Sequence, residues 1–133
     1  MLKLILFYRD FNTVVILDNR LAEVSASLAR ATFSSGATFI IENPVDRGDR
    51  NSDLFEARFD RHAPLWLMPC LQSLGVDTSA ISVSFPQCFF HRLYQKWTTL
   101  LIAGPLAQQF ACLSKARCTH SNHERTRFGV DES

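Results

Sequence analysis

Two apolar runs late in the chain, residues 80–85 and 97–103, are separated by only eleven residues, and those residues show no clear helical periodicity. A parallel crossover between neighbouring strands needs about a dozen residues or more, commonly a helix. The pair therefore reads as an antiparallel hairpin. In the first run Ile81, Val83 and Phe85 alternate with Ser82 and Ser84, the mark of a half-buried strand. The second run, Trp97-Thr98-Thr99-Leu100-Leu101-Ile102-Ala103, is the matching strand.

Upstream, residues 3–8 and 13–17 are apolar runs of strand length, divided by polar Arg9, Asp10 and Asn12. Asp18 or Asn19 is placed to cap a helix that begins at Arg20, with Leu21, Val24, Leu28 and Ala31 at helical spacing. Gly36 is its expected stop. Residues 37–41 form a short buried strand, ended by Glu42-Asn43-Pro44, where Pro44 should break the ladder. Residues 45–53 are a polar loop carrying charges of both signs. Phe55, Phe59, Leu65 and Trp66 punctuate the next segment. Pro69 suits the first turn of a short helix over 69–74, with Gly75 as its stop. After the hairpin, Gly104-Pro105 opens a helix with Leu106, Phe110 and Leu113 as its apolar positions. Alternating strands and helices predict an α/β fold: a parallel sheet ending in the antiparallel hairpin.

With 133 residues, 47% of them hydrophobic and eleven of them Phe, the chain can bury one core. The net charge of +1 gives no strong overall field, so nucleic-acid contact would rest on local basic clusters. Cys70, Cys88, Cys112 and Cys118 are too sparse for a disulfide framework and are read as reduced thiols. The apolar run at the N-terminus is too short for an export signal or a bilayer span. These features predict a soluble, intracellular protein without a membrane partner.

Glu42-Asn43-Pro44 ends a predicted strand, where open α/β sheets bind ligands. A carboxylate and a carboxamide there could bond the polar edge of a heterocycle; a tripeptide is a weak motif, and the pattern alone favours a surface charge before a turn. Cys112, Cys118, His120 and His123 are residue types that zinc prefers, in the pattern Cys-x5-Cys-x-His-x2-His. The spacing between pairs is short for a standard finger, and a core Cys112 with a solvated tail is the reading the pattern favours. Arg47, Arg50, Arg58 and Arg61 interleave with Asp46, Asp49, Asp53, Glu56 and Asp60, as on a solvated mixed-charge face. Arg92, Lys96, Lys115, Arg117, Arg125 and Arg127 are a more basic set that could face DNA.

Four stretches occur in an order that resembles a known family: Phe39-Ile40-Ile41-Glu42-Asn43-Pro44, then Leu65-Trp66, then Val83-Ser84-Phe85-Pro86-Gln87-Cys88-Phe89-Phe90, then Gln95-Lys96-Trp97-Thr98-Thr99-Leu100. The series, over about residues 19–123, is similar to the C-terminal half of methyltransferase-like proteins of phages and tyrosine-recombinase retrotransposons. Those are in turn similar to the DNA cytosine-C5 methyltransferase class. The resemblance implies a class I methyltransferase, Rossmann-like sheet ending in an antiparallel hairpin, with 37–43 as the preceding strand. It implies that Glu42 bonds a flipped cytosine at N3, with Asn43 and Pro44 shaping the pocket and Glu42 and Asn43 as the catalytic pair. Gln87, Lys96 and Thr98 would touch substrate or its phosphates. The base must leave the stack because its reactive carbons are hidden there.

The sequence departs from that family in two places that matter for activity. Gly36 is the first glycine, so the glycine-rich turn that holds S-adenosylmethionine is missing upstream. No cysteine precedes Cys70, so the family's Pro-Cys nucleophile is missing too. Met68-Pro69-Cys70 comes after the Glu-Asn pair and reads as a helix start. His91 also stands where the family tends to have Gly. The expectation is a divergent or unrelated segment over 1–18, a methyltransferase-like subdomain over 19–118 and a polar tail over 119–133. Such a chain would bind no cofactor alone. It would be a mobile-element remnant or be completed by another chain, with DNA as its partner. The alternative is a small non-enzymatic α/β interaction module with a zinc-stabilised tail.

Overall fold

The computed structural model describes residues 11–61, 64–90 and 96–120, with side chains from Asp18 onward. The strand expected over 3–8, and the tail after His120, lie outside the described residues.

Helix α1 spans Phe11–Ser34. The strand expected over 13–17 is thus part of a helix, and Asp18 and Asn19 are interior rather than caps. A five-residue apolar run is too short to declare a period, and no Gly or Pro between Phe11 and Ser34 interrupts the helix. The helix closes where expected. Gly36 sits at φ +82; its N–H donates to Phe33 O, and that of Ala37 to Thr32 O. These two bonds make a Schellman cap. The buried face differs from the one expected. Ala22, Ala26 and Ala29 are buried, while Leu21, Val24 and Leu28 face outward, Leu28 with 64% of its surface exposed. Small side chains line the contact, where they let α1 approach its neighbour closely.

That neighbour is α2, Pro69–Thr78, with Pro69 in its first turn. Gly75 does not end it. The helix runs on to Thr78 and is capped by Ser79 in the left-handed region at φ 50, with Ala80 N–H donating to Gly75 O. The Arg30 guanidinium joins the two helices by donating to Asp77 Oδ2 and Ser73 Oγ.

Strands β1 (Phe39–Pro44), β2 (Ile81–Pro86) and β3 (Trp97–Ala103) form one sheet in the order β1-β3-β2. The expected hairpin is present: β2 and β3 are antiparallel neighbours, with Val83 opposite Leu100. However, β1 also pairs antiparallel with β3, Glu42 opposite Leu100. The sheet is antiparallel throughout, and the expected parallel pairing does not occur among the described residues. β1 and β2 run the same way with β3 reversed between them, and their connection carries α2. Pro44 does not break the ladder. Val45 N–H donates to Trp97 O, so the N–H that Pro44 lacks falls on the outer edge, where proline is tolerated. Its outward carbonyl accepts from Trp66 Nε1 at 3.1 Å.

Both faces of the sheet are covered. Phe39, Leu101 and Ala103 pack under α1 and α2 with Leu71 and Leu74, and Cys70 packs against this cluster as a helix-start thiol. On the opposite face Phe85, Leu100 and Ile102 meet Ala107 and Ala116. That cover is a 3-10 segment, Ala107–Lys115, and not the α-helix expected after Gly104-Pro105. Ser114 Oγ and Cys112 Sγ each donate to the carbonyl three residues back, which competes with α-helical pairing. Among the described residues no helix is long and apolar enough to cross a membrane.

Candidate functional site

Strand alternation decides which residues can act together. Directly opposed residues of paired strands share a face. By the register, Glu42 shares its face with Leu100, Thr98 and Phe85, while Asn43 shares the other with Thr99 and Ser84. The two residues expected to line one pocket therefore point to opposite sides of the sheet. On Asn43's side, Ser84 Oγ and Thr99 Oγ1 bond each other at 2.7 Å.

On Glu42's side the residues named from sequence come together. Lys96 Nζ lies 3.3 Å from Glu42 Oε1, and Thr98 Oγ1 donates to the same oxygen at 3.2 Å. Thr98 Oγ1 in turn accepts from Gln87 Nε2 at 2.8 Å. Gln87 is fixed by its backbone, whose N–H donates to Lys96 O at 2.7 Å. The result is one connected chain, Lys96–Glu42–Thr98–Gln87, assembled from β1, the turn after β2, and the start of β3. Its centre, Thr98, is 1% exposed and has both a donor and an acceptor partner, as a buried hydroxyl requires. Its outer end is open, with 46% of the Glu42 side chain and 44% of that of Lys96 in solvent. Such an exposed pair contributes about 0–1 kcal/mol at most. The geometry thus presents an acceptor carboxylate beside an ammonium, on a buried polar support, without strong benefit to stability. Pro44 lies on the same edge but enters this chain of bonds only as a near neighbour of Glu42 on the strand.

Two clefts lie elsewhere. One of about 380 Å³, between α2 and the sheet, includes Trp66, Gln72, Ser82 and Leu101. The other, about 250 Å³, is lined by Trp97 and the loop residues Arg47, Asp53 and Glu56. Glu42 lines neither of these two clefts. The loop arginines pair with acids, as the mixed charge pattern predicted. Arg47 and Arg58 pair with Glu56, and Arg50 with Asp60.

A second constellation joins Cys118 and His120, grouped by spacing, to Cys88, which spacing did not connect to them. The ligand atoms of Cys88, Cys118 and His120 all lie within 4.8 Å of one another. Cys88 is fully buried in the 3-10 turn Gln87–Phe89; Cys118 and His120 are half-buried beyond the 3-10 segment. Burial pushes the Cys88 thiol up, and Cys118 beside it pushes in the same direction. Cys112, expected in a zinc set with Cys118 and His120, is exposed and donates to Gln109 O at 3.3 Å instead. His123, the fourth of that set, lies outside the described residues. Cys88 belongs to no spacing motif, and only the folding of the C-terminal stretch over the sheet brings it in.

No protein-family model, no curated protein and no solved structure matches this chain.

Proposed function

We propose that this chain is the C-terminal subdomain of a methyltransferase-like, Rossmann-related domain, and that the Glu42 network is a base-reading surface which does not transfer a methyl group alone. The observation that carries this reading is that Glu42, Gln87, Lys96 and Thr98, singled out from separate stretches of sequence, form one hydrogen-bonded chain. A carboxylate accepts from the amino and protonated ring positions of a nucleobase. The adjacent ammonium suits a phosphate as a point charge. A flipped or single-stranded base would be needed to reach it.

Two features favour a larger assembly. Among the described residues no strand pairs with the outer edge of β1, and Leu21, Val24 and Leu28 leave an apolar stripe on the outward side of α1. An unpaired edge is a template for another strand. A complementing chain bearing a donor site and nucleophile would supply what methyl transfer needs in one frame.

The test is binding of the full chain to single-stranded oligonucleotides that carry cytosine, adenine or abasic positions, at fixed salt. Cytosine is expected to be preferred. Glu42→Gln should cut that preference about tenfold, the effect of about 1.4 kcal/mol. Lys96→Ala should weaken all strands alike and lower the salt slope by about one. Equal affinity for abasic strands, or an unchanged preference in Glu42→Gln, would sink the reading. Methyl transfer from S-adenosylmethionine by this chain alone would overturn its second half.

A further inference from the structure

We propose that Cys88, Cys118 and His120 form a binding site for a tetrahedral transition-metal ion, zinc being the ion this donor set suits, which clamps the stretch after Lys115 to the end of the β2–β3 hairpin. Two sulfurs and an imidazole nitrogen converge, all within 4.8 Å of one another. A closed tetrahedral site has Zn–S near 2.3 Å and Zn–N near 2.0–2.1 Å, which puts ligand atoms about 3.5–3.8 Å apart. Closing the present cluster around an ion therefore takes movements of about 1 Å, within reach of side-chain rotation. Soft thiolate donors with imidazole select zinc-like ions over magnesium or calcium, which take oxygen.

Charge fits as well. Binding forms two metal–sulfur bonds and one metal–nitrogen bond and releases the two thiol protons to solvent. Two thiolates then neutralise a dication, so no net charge is left beside the fully buried Cys88. A disulfide would use the two sulfurs only and gives the converging imidazole no role. Three protein ligands leave the fourth position to water or a further group.

The placement gives the ion a mechanical task. Cys88 stands on a turn tied into the sheet through the Gln87 N–H to Lys96 O bond. On the other side, Ala116 is buried, and the Arg117 guanidinium donates to Ser114 O and Ala116 O, both local. A metal bridge would join these two segments, distant in sequence, beside Gln87, whose amide supports Thr98. Coordinated closure of a small domain is where a structural metal contributes most.

The test uses the full chain, reduced and under anaerobic conditions, with zinc or cobalt(II) alone as the probe. One equivalent of zinc is expected. The cobalt adduct should show a thiolate-to-metal charge-transfer band and the intense visible absorption of tetrahedral geometry. Cys118→Ser and His120→Gln, at half-buried positions that spare the core, should each weaken binding by at least about a hundredfold, more than loss of an outer-shell partner does. Cys88→Ser should act the same way, and the half-buried pair decides the matter should that variant not fold. Cys70→Ser and Cys112→Ser should bind like the parent chain. A reduced chain that takes up no metal, a weak octahedral cobalt spectrum, or full binding by Cys118→Ser would overturn the proposal. Loss of binding in Cys112→Ser would overturn it too, by returning the site to the tail.

Discussion

Gly104 combines a close backbone approach with a left-handed conformation. It leaves β3 at φ +118, a conformation L side chains rarely adopt. A Cβ there would come within 2.6 Å of both Ala37 O and Thr38 Cα, which are backbone and cannot swing aside. The close approach also lets Leu106 N–H donate to Thr38 Oγ1 at 3.0 Å, which anchors the start of the second cover layer. Gly104→Ala is expected to lower stability by about 1–3 kcal/mol from backbone strain alone, with the clash adding to it. Urea unfolding would show this as a lower midpoint at unchanged slope; an unmoved midpoint would mean the crossing is loose. Single residues also mark the limit of reading a site from sequence. Glu42 and Asn43 are adjacent, and adjacency suggested a joint role; in a paired strand it separates them by the full thickness of the sheet. Gln87 and Thr98 are joined through the hairpin register, which a link of eleven residues points to as antiparallel but does not set.

Among the elements, β2 and β3 were legible because alternation and a short connection each point to one answer. α1 was harder. Its early residues include a β-branched, apolar run, which local propensity alone reads as strand, and Leu21, Val24 and Leu28 lie on the outward face. Nothing local says that Ala22, Ala26 and Ala29 are the contact; that is set by how closely α2 approaches. The polar side of this contact gives a measurable pH dependence. The hydrogen bond from Arg30, helped by Ser73, holds the Asp77 carboxyl below its usual range. A carboxyl lowered on folding adds stability above its ordinary range and loses it as the pH falls through the lowered value. Acidification should therefore loosen the α1–α2 contact. Asp77→Asn should flatten the acid side of the stability profile in part only, because other carboxyls share the slope. Asp60 is held low by Arg50, and Glu56, which burial alone would raise, is held low by Arg58 and Arg47. An acid slope identical in Asp77→Asn and the parent chain would refute the assignment.

At the scale of the whole molecule, β3 is the spine. Leu101 and Ala103 belong to the cluster under the helices, while Leu100 and Ile102 belong to the cluster under the 3-10 segment. The two cores thus share one strand, and neither face can lose its packing without disturbing the register that serves the other. The same strand carries Thr98 near its entrance, with Lys96 just before it, so the Glu42 network sits on the most interconnected element and not on a loose rim. Ile102 tests this coupling because none of its surface is exposed and it lies opposite both Ile40 and Ile81. Ile102→Ala should cost about 2–5 kcal/mol, the range for truncating a fully buried aliphatic side chain. The more telling readout is hydrogen exchange. Amides of α1 and α2, on the far face from the substitution, should lose protection together with those of β2 and the 3-10 segment, by a common factor. Loss confined to the 3-10 face, or two separate unfolding transitions, would show that the faces fold independently and that β3 does not unite them.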